Sequence, residues 1–255
     1  MLNLDEVYKQ YKNGNLNYAL KLVNEIIAQN PELREAYSIK GRILMEMGKL
    51  DEALDSFMKA NDSLGIAKVL IARGLYADAL QYLEKGDSDE FKKLRALIYL
   101  RLEDFDKAFN EVKEITGNDD PLIYKIKGIS EFKLGRFLDA IRDLSRAIEY
   151  YPMDAELYLF RALSLKELGD YKEAENDLQV AINLNPYYAE VYFNLGELKE
   201  RTGSLQDAVT LYSKAIALNP NYRGAYVRRA KSYMKLGMEE EAMSDIERVR
   251  ELDGS

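Results

Sequence analysis

The chain has 255 residues, 47% hydrophobic and 31% charged, with a formal net charge of -8. This composition supports a sizeable core rather than a disordered chain, and the acidic balance disfavours generic nucleic-acid binding, which needs a basic footprint. Histidine and cysteine are both absent. That excludes Ser-His-Asp and Cys-His nucleophilic systems, disulfides and the usual zinc sites, so a catalytic role is disfavoured.

In chain order, Gly14, Leu16, Ala19 and Pro31 mark a first helical pair. Tyr37, Gly41, Gly48, Leu50, Ala53, Phe57 and Ala60 mark a second. The step then shortens, because Gly48 to Gly74 is 26 residues. Gly74, Tyr76 and Ala79 mark a third pair, whose first helix, near Leu64 to Arg73, starts early. A fourth carries Phe105 and Ala108, with Glu103 where a glycine is expected, and the loop Gly117-Asn118-Asp119-Asp120-Pro121 closes it. The stretch from about 61 to 120 has two readings: shortened helices that keep stacking, or a break that lets two arrays flex.

From there the chain repeats every 34 residues, as Gly135, Gly169, Gly203 and Gly237 show, together with Pro152, Pro186 and Pro220. In the most regular unit Val191, Tyr192, Leu195 and Leu198 share one helical face, and Gly203 stops that helix by adopting a left-handed conformation cheaply. Leu205, Ala208, Val209, Tyr212, Ala215 and Ile216 then follow i, i+3, i+4 spacing, and Pro220 bars further helix. Gly196 and Ala208 are small where the two antiparallel helices cross. Ile148, Ile182 and Ile216 are expected to pack on the following unit. Arg250 replaces them in the last unit, among Glu247, Arg248 and Glu251, which predicts a polar outer face there.

The run Tyr192, Leu195, Gly196, Ala208, Tyr212, Ala215, Pro220 resembles the tetratricopeptide repeat. Tyr158, Ala162, Gly169, Tyr171, Ala174, Ala181 and Pro186 match it one unit earlier, and Tyr124, Gly128, Gly135, Phe137, Ala140, Ala147 and Pro152 one unit before that. The resemblance implies an all-α, right-handed superhelical solenoid of about eight helix-turn-helix units. Their bounds are about 1–33, 34–61, 62–88, 89–120, 121–154, 155–188, 189–222 and 223–255, the third and fourth being degenerate.

It also implies a concave groove, lined by the first helix of each unit, in which a partner peptide or helix binds. The groove residues of units five to eight are Lys125, Ile126, Ile129, Phe132 and Lys133; Leu159, Phe160, Leu163 and Lys166; Phe193, Asn194, Glu197, Glu200 and Arg201; and Arg228, Lys231, Met234 and Lys235. Read so, the groove is apolar in its middle and basic toward the C-terminal end. The apolar members either face a partner or are buried between neighbouring first helices. The basic members either take an acidic segment or pair with Glu239, Glu240 and Glu241. Of the five positions of the chaperone-tail carboxylate clamp found in this family, Asn194 and Arg228 match, whereas Leu159, Leu163 and Gly224 do not. That kind of binding is therefore not expected.

The expected role is a non-catalytic scaffold or adaptor without cofactor or metal, binding a protein or peptide with an apolar segment and an acidic end. The alternative is a self-associating module. No apolar run approaches 18 residues, so no membrane span is expected, and the start Met1-Leu2-Asn3-Leu4-Asp5-Glu6 lacks the pattern of a signal peptide; with no cysteine, a cytoplasmic location is expected.

Overall fold

In a computed structural model, which describes residues 3–115 and 120–254, the chain forms sixteen α-helices and no strand among the described residues. Residues 117–119 of the fourth loop lie outside the described residues. Contacts divide the chain into two units, Met1–Glu114 and Ile115–Ser255.

The first unit holds α1 (Leu4–Lys12), α2 (Leu16–Gln29), α3 (Arg34–Glu46), α4 (Leu50–Ala60), α5 (Ser63–Ala72), α6 (Tyr76–Leu83), α7 (Asp89–Arg101) and α8 (Phe105–Val112). The second holds α9 (Pro121–Lys133), α10 (Phe137–Tyr150), α11 (Ala155–Leu168), α12 (Tyr171–Leu184), α13 (Ala189–Arg201), α14 (Leu205–Leu218), α15 (Arg223–Lys235) and α16 (Glu239–Gly254). In both, each odd-numbered helix pairs with the even-numbered helix after it, and that one packs on the next pair. The irregular stretch of sequence is filled by α5 to α8, of which α6 and α8 have only 8 residues each.

Local chemistry sets these boundaries. Gly135, Gly169, Gly203 and Gly237 close their first helices at φ of 75 to 88°, the left-handed region that a Cβ disfavours. Glu103 occupies the same conformation, at φ 59°, without being glycine. At the starts, Asp154 accepts from the Glu156 backbone N–H at 3.0 Å and Asp120 from that of Leu122 at 3.0 Å, with Pro121 in the first turn.

One offset governs the inside of each hairpin: a residue on the first helix faces the residue 16 positions later on the second. A Cβ added at Gly41 would lie 2.6 Å from the Phe57 ring, one at Gly128 2.6 Å from Leu144, and one at Gly196 2.6 Å from the Tyr212 ring. The small residue is what lets the bulky one reach the core. Phe57, Leu144 and Tyr212 are all essentially inaccessible to solvent. The outer side of α16 is only partly polar. Arg250, Glu247 and Glu251 are exposed, but Ile246 and Val249 line an apolar hollow with Val227, Ala230 and Met234.

Candidate partner-binding surface

In the second unit the first helices touch one another in sequence, α9 to α11 to α13 to α15. They make one continuous face. Of the two readings of the apolar groove residues, burial holds for Ile126, Ile129, Leu159 and Leu163. α11 and α13 are flanked by their own second helices and by the first helices before and after them, and α9 by α10 and α11, so apolar side chains at these positions gain more by lying in the seams than by facing water. Phe160 is nearly buried, while Phe132 and Phe193 are half-buried. Phe132 meets Phe160 with ring centroids 5.6 Å apart, and the Lys133 Nζ lies 5.8 and 5.7 Å from the two centroids. Phe193 stacks on Tyr222 at 4.9 Å.

Polar side chains cross the same face as a ladder. The buried Lys166 Nζ donates to Asn194 Oδ1 at 3.1 Å and to Glu197 Oε2 at 2.9 Å. Arg228 reaches Glu197 at 2.8 Å and Glu200 at 3.6 Å, and the Lys235 Nζ donates to Glu200 Oε1 at 2.8 Å. Burial alone would push the Glu200 carboxyl up. Hydrogen bonds from Lys235 and Tyr212, together with the positive charges of Lys235 and Arg228, outweigh it and hold Glu200 below its ordinary value. Burial and the same carboxylate keep the Tyr212 hydroxyl protonated, so it donates.

The basic residues therefore pair with α13 rather than with Glu239, Glu240 and Glu241. Lys125 is likewise bound, at 2.6 Å to both Asp154 and Glu156. Arg201 and Lys231 stay exposed and make no ion pair among the described residues. On the α11–α15 stretch of this face Lys166, Arg228 and Lys235 pair with Glu197 and Glu200, whereas Arg201 and Lys231 are left for solvent. Asn194 is buried, accepts from Lys166 and donates to the Glu190 carbonyl at 2.9 Å, so it is committed to the interior.

Sequence reasoning missed three features. Guanidinium forks tie the hairpins internally: Arg161 to Asp177 at 2.7 Å twice, Arg229 to Asp245 at 2.9 and 2.7 Å, and Arg95 to Glu111 at 2.9 and 2.8 Å. Their signal was an arginine followed 16 residues later by an acid. In the first unit a cavity of 620 Å³ lies among Tyr11, Arg42, Met45, Phe57, Leu64 and Lys68. In the second, another of 900 Å³ lies between the loops after α10 and α12, beside the exposed Tyr151, Met153 and Tyr187. Among the described residues no group of acids could hold a metal ion, and no helix is long and apolar enough to cross a membrane.

Two family profiles, both described as tetratricopeptide repeat, match the chain: one over residues 127–189 and 161–223, the other over 35–63 and 224–255. Signal recognition particle subunit SRP72 from Dictyostelium discoideum is 28% identical over 119 residues, which are 43% of this chain and 18% of that protein. The chain thus spans about a fifth of that curated relative. Among solved structures, MamA superposes with a TM-score of 0.56 at 25% identity, covering 61% of this chain and 92% of its own. Cut9, in an APC/C hetero-tetramer with Hcn1, superposes with a TM-score of 0.68 at 17% identity, covering 89% of this chain and 48% of its own.

Proposed function

The chain belongs to the tetratricopeptide repeat family, whose repeats are protein–protein interaction scaffolds, and from that membership we propose a non-catalytic adaptor that holds a protein partner on the first-helix face of the second unit. The observation that carries this reading is the pair of exposed cations Arg201 and Lys231, which make no ion pair among the described residues and stand on the same face as Lys166, Arg228 and Lys235 in a chain of net charge -8. Such a face suits an acidic peptide or helix. Phe132, Phe160 and Phe193 offer ring edges beside it for apolar side chains. Ile126, Ile129, Leu159, Leu163 and Asn194 support the face from within, and Arg201, Arg228, Lys231 and Lys235 make the contact. The partner is protein rather than nucleic acid, and a chain without cysteine suits the reducing cytoplasm.

To test this, partners captured from a lysate by the wild-type protein are identified, and their binding is measured again with Arg201→Glu/Lys231→Glu. A loss of tenfold or more that weakens further with salt is expected. Unchanged affinity in the double variant removes this face from the function.

A second reading, self-association, is favoured by the apolar hollow of 250 Å³ on α15 and α16, with Met234 exposed at its rim. Sedimentation across concentration tests it. A single monomeric species at all concentrations ends that reading, whereas a dimer abolished by Met234→Lys supports it.

A further inference from the structure

The hairpin of α9 and α10 lacks the fork that its counterparts have. Arg161 and Arg229 each grip an aspartate 16 residues on and also donate to a serine of the preceding second helix, Ser145 at 3.1 Å and Ser213 at 2.8 Å. Between these two, Leu195 and Leu211 replace the pair with apolar side chains. In α9 the residue in the arginine position is Lys127, whose Nζ donates to the Ile115 carbonyl at 3.0 Å and whose single nitrogen cannot fork. The aspartate remains, as Asp143, and is buried. Beside it, where α11 has Leu165, α9 places Glu131, which is 3% exposed. The Glu131 Oε2 and the Ser130 Oγ have no hydrogen-bond partner among the described residues.

Two carboxyl groups buried in the same hairpin and close enough for Asp143 to act on Glu131 cannot both be charged at low cost. We propose that Glu131 and Asp143 hold one proton between them and so latch α9 to α10. Loss of that proton loosens this hairpin and the Phe132 end of the candidate face. Phe132 follows Glu131 directly and packs on Phe137 and Phe160, so movement of the carboxyl is passed to that aromatic cluster.

The charges that bear on Glu131 come from α10: Asp143 and Asp139 disfavour its ionisation, and Arg142, 3.3 Å from Asp143, favours it. From α9 itself Lys127 stands one turn earlier. From α11 Phe160 packs on the neighbouring Phe132, and the largest charge effects on Glu131 come from α10. Burial first, then Asp143 and Asp139, raise Glu131 from 4.5 to about 8. A carboxyl raised on folding contributes stability that is fully present below its unfolded value, near 4.5. That contribution is lost as pH rises toward 8, by up to about tenfold in the unfolding constant per pH unit.

The composition makes the test clean, because without histidine or cysteine few groups titrate in this window. Glu190, also raised by burial, and the terminal amine are the other candidates. Unfolding by denaturant is measured from pH 5 to 9, with amide exchange of α9 and α10 compared with that of α13 and α14 after correction for intrinsic rates. For the wild type, the unfolding constant is expected to rise at least tenfold between pH 5 and 8, with exchange quickening first in α9 and α10. Glu131→Gln flattens this rise, and Lys127→Arg moves it to lower pH by supplying the missing fork. The latch is overturned if Glu131→Gln keeps the wild-type pH slope, or if carbon-detected NMR of the wild-type carboxyl shows Glu131 titrating in the ordinary range. The NMR titration decides the matter even if a variant fails to fold. Only the consequence for partner binding rests on the reading of the face given above, and none of these readouts needs a partner.

Discussion

The two units build the same hairpin from second helices of different length. Between Ile115 and Ser255, α10, α12 and α14 each have 14 residues and the period holds at 34; between Met1 and Glu114, α6 and α8 have 8 each and the period slips. The first unit centres its interior on Phe57, lodged between Gly41 and Gly65, and has one guanidinium fork, Arg95 to Glu111. The second has two, from Arg161 and Arg229. The comparison shows that the crossing, set by a small residue facing a large one 16 positions later, is what the fold requires. Helix length and the chemistry of neighbouring positions are free to vary around it.

Three sets of substitutions probe that contrast, in order of expected effect. Phe57→Ala removes the ring that both Gly41 and Gly65 were shaped around, and costs about 4 kcal/mol in denaturant unfolding. Arg161→Ala strands the buried Asp177 and costs about 3 kcal/mol, yet Arg161→Leu/Asp177→Leu, which copies Leu195 and Leu211, is expected within about 1 kcal/mol of wild type. If the double variant is as damaged as the single, the fork is needed for more than filling space. At the turns, Glu103→Gly stabilises by about 1 kcal/mol by relieving its left-handed conformation, while Gly169→Ala, with open space around its Cβ, destabilises by a similar amount. Equal melting temperatures for Glu103→Gly and wild type would show that this turn carries no strain.

The fold was legible because every hairpin makes the same local demands. Gly135, Gly169, Gly203 and Gly237 must be left-handed, Gly128 and Gly196 must be small, and these needs recur at a fixed step. Glu103 broke the step without breaking the turn, since a few hydrogen-bonded neighbours hold it in a conformation it does not favour: the Asp104 N–H bonds the Tyr99 carbonyl at 2.9 Å. The candidate face was legible in its positions but not in its exposure. Leu159 and Ile126 read as groove residues by register, and their burial is decided by the neighbouring helices that pack on α11 and α9.

What the sequence by itself determined is the helical hairpin, its turns and its family, because these follow from residues within one unit. What only the tertiary structure decided is how charges find partners. Lys166 meets Asn194 28 residues on, and Lys235 meets Glu200 35 residues back. Such pairs depend on the stacking of one hairpin on the next, which turned a basic stripe into a ladder and left only Arg201 and Lys231 of it open. The same holds for Glu131. Nothing in its local sequence marks it as buried, and its proton is held by that burial and by Asp143 and Asp139 on the facing helix.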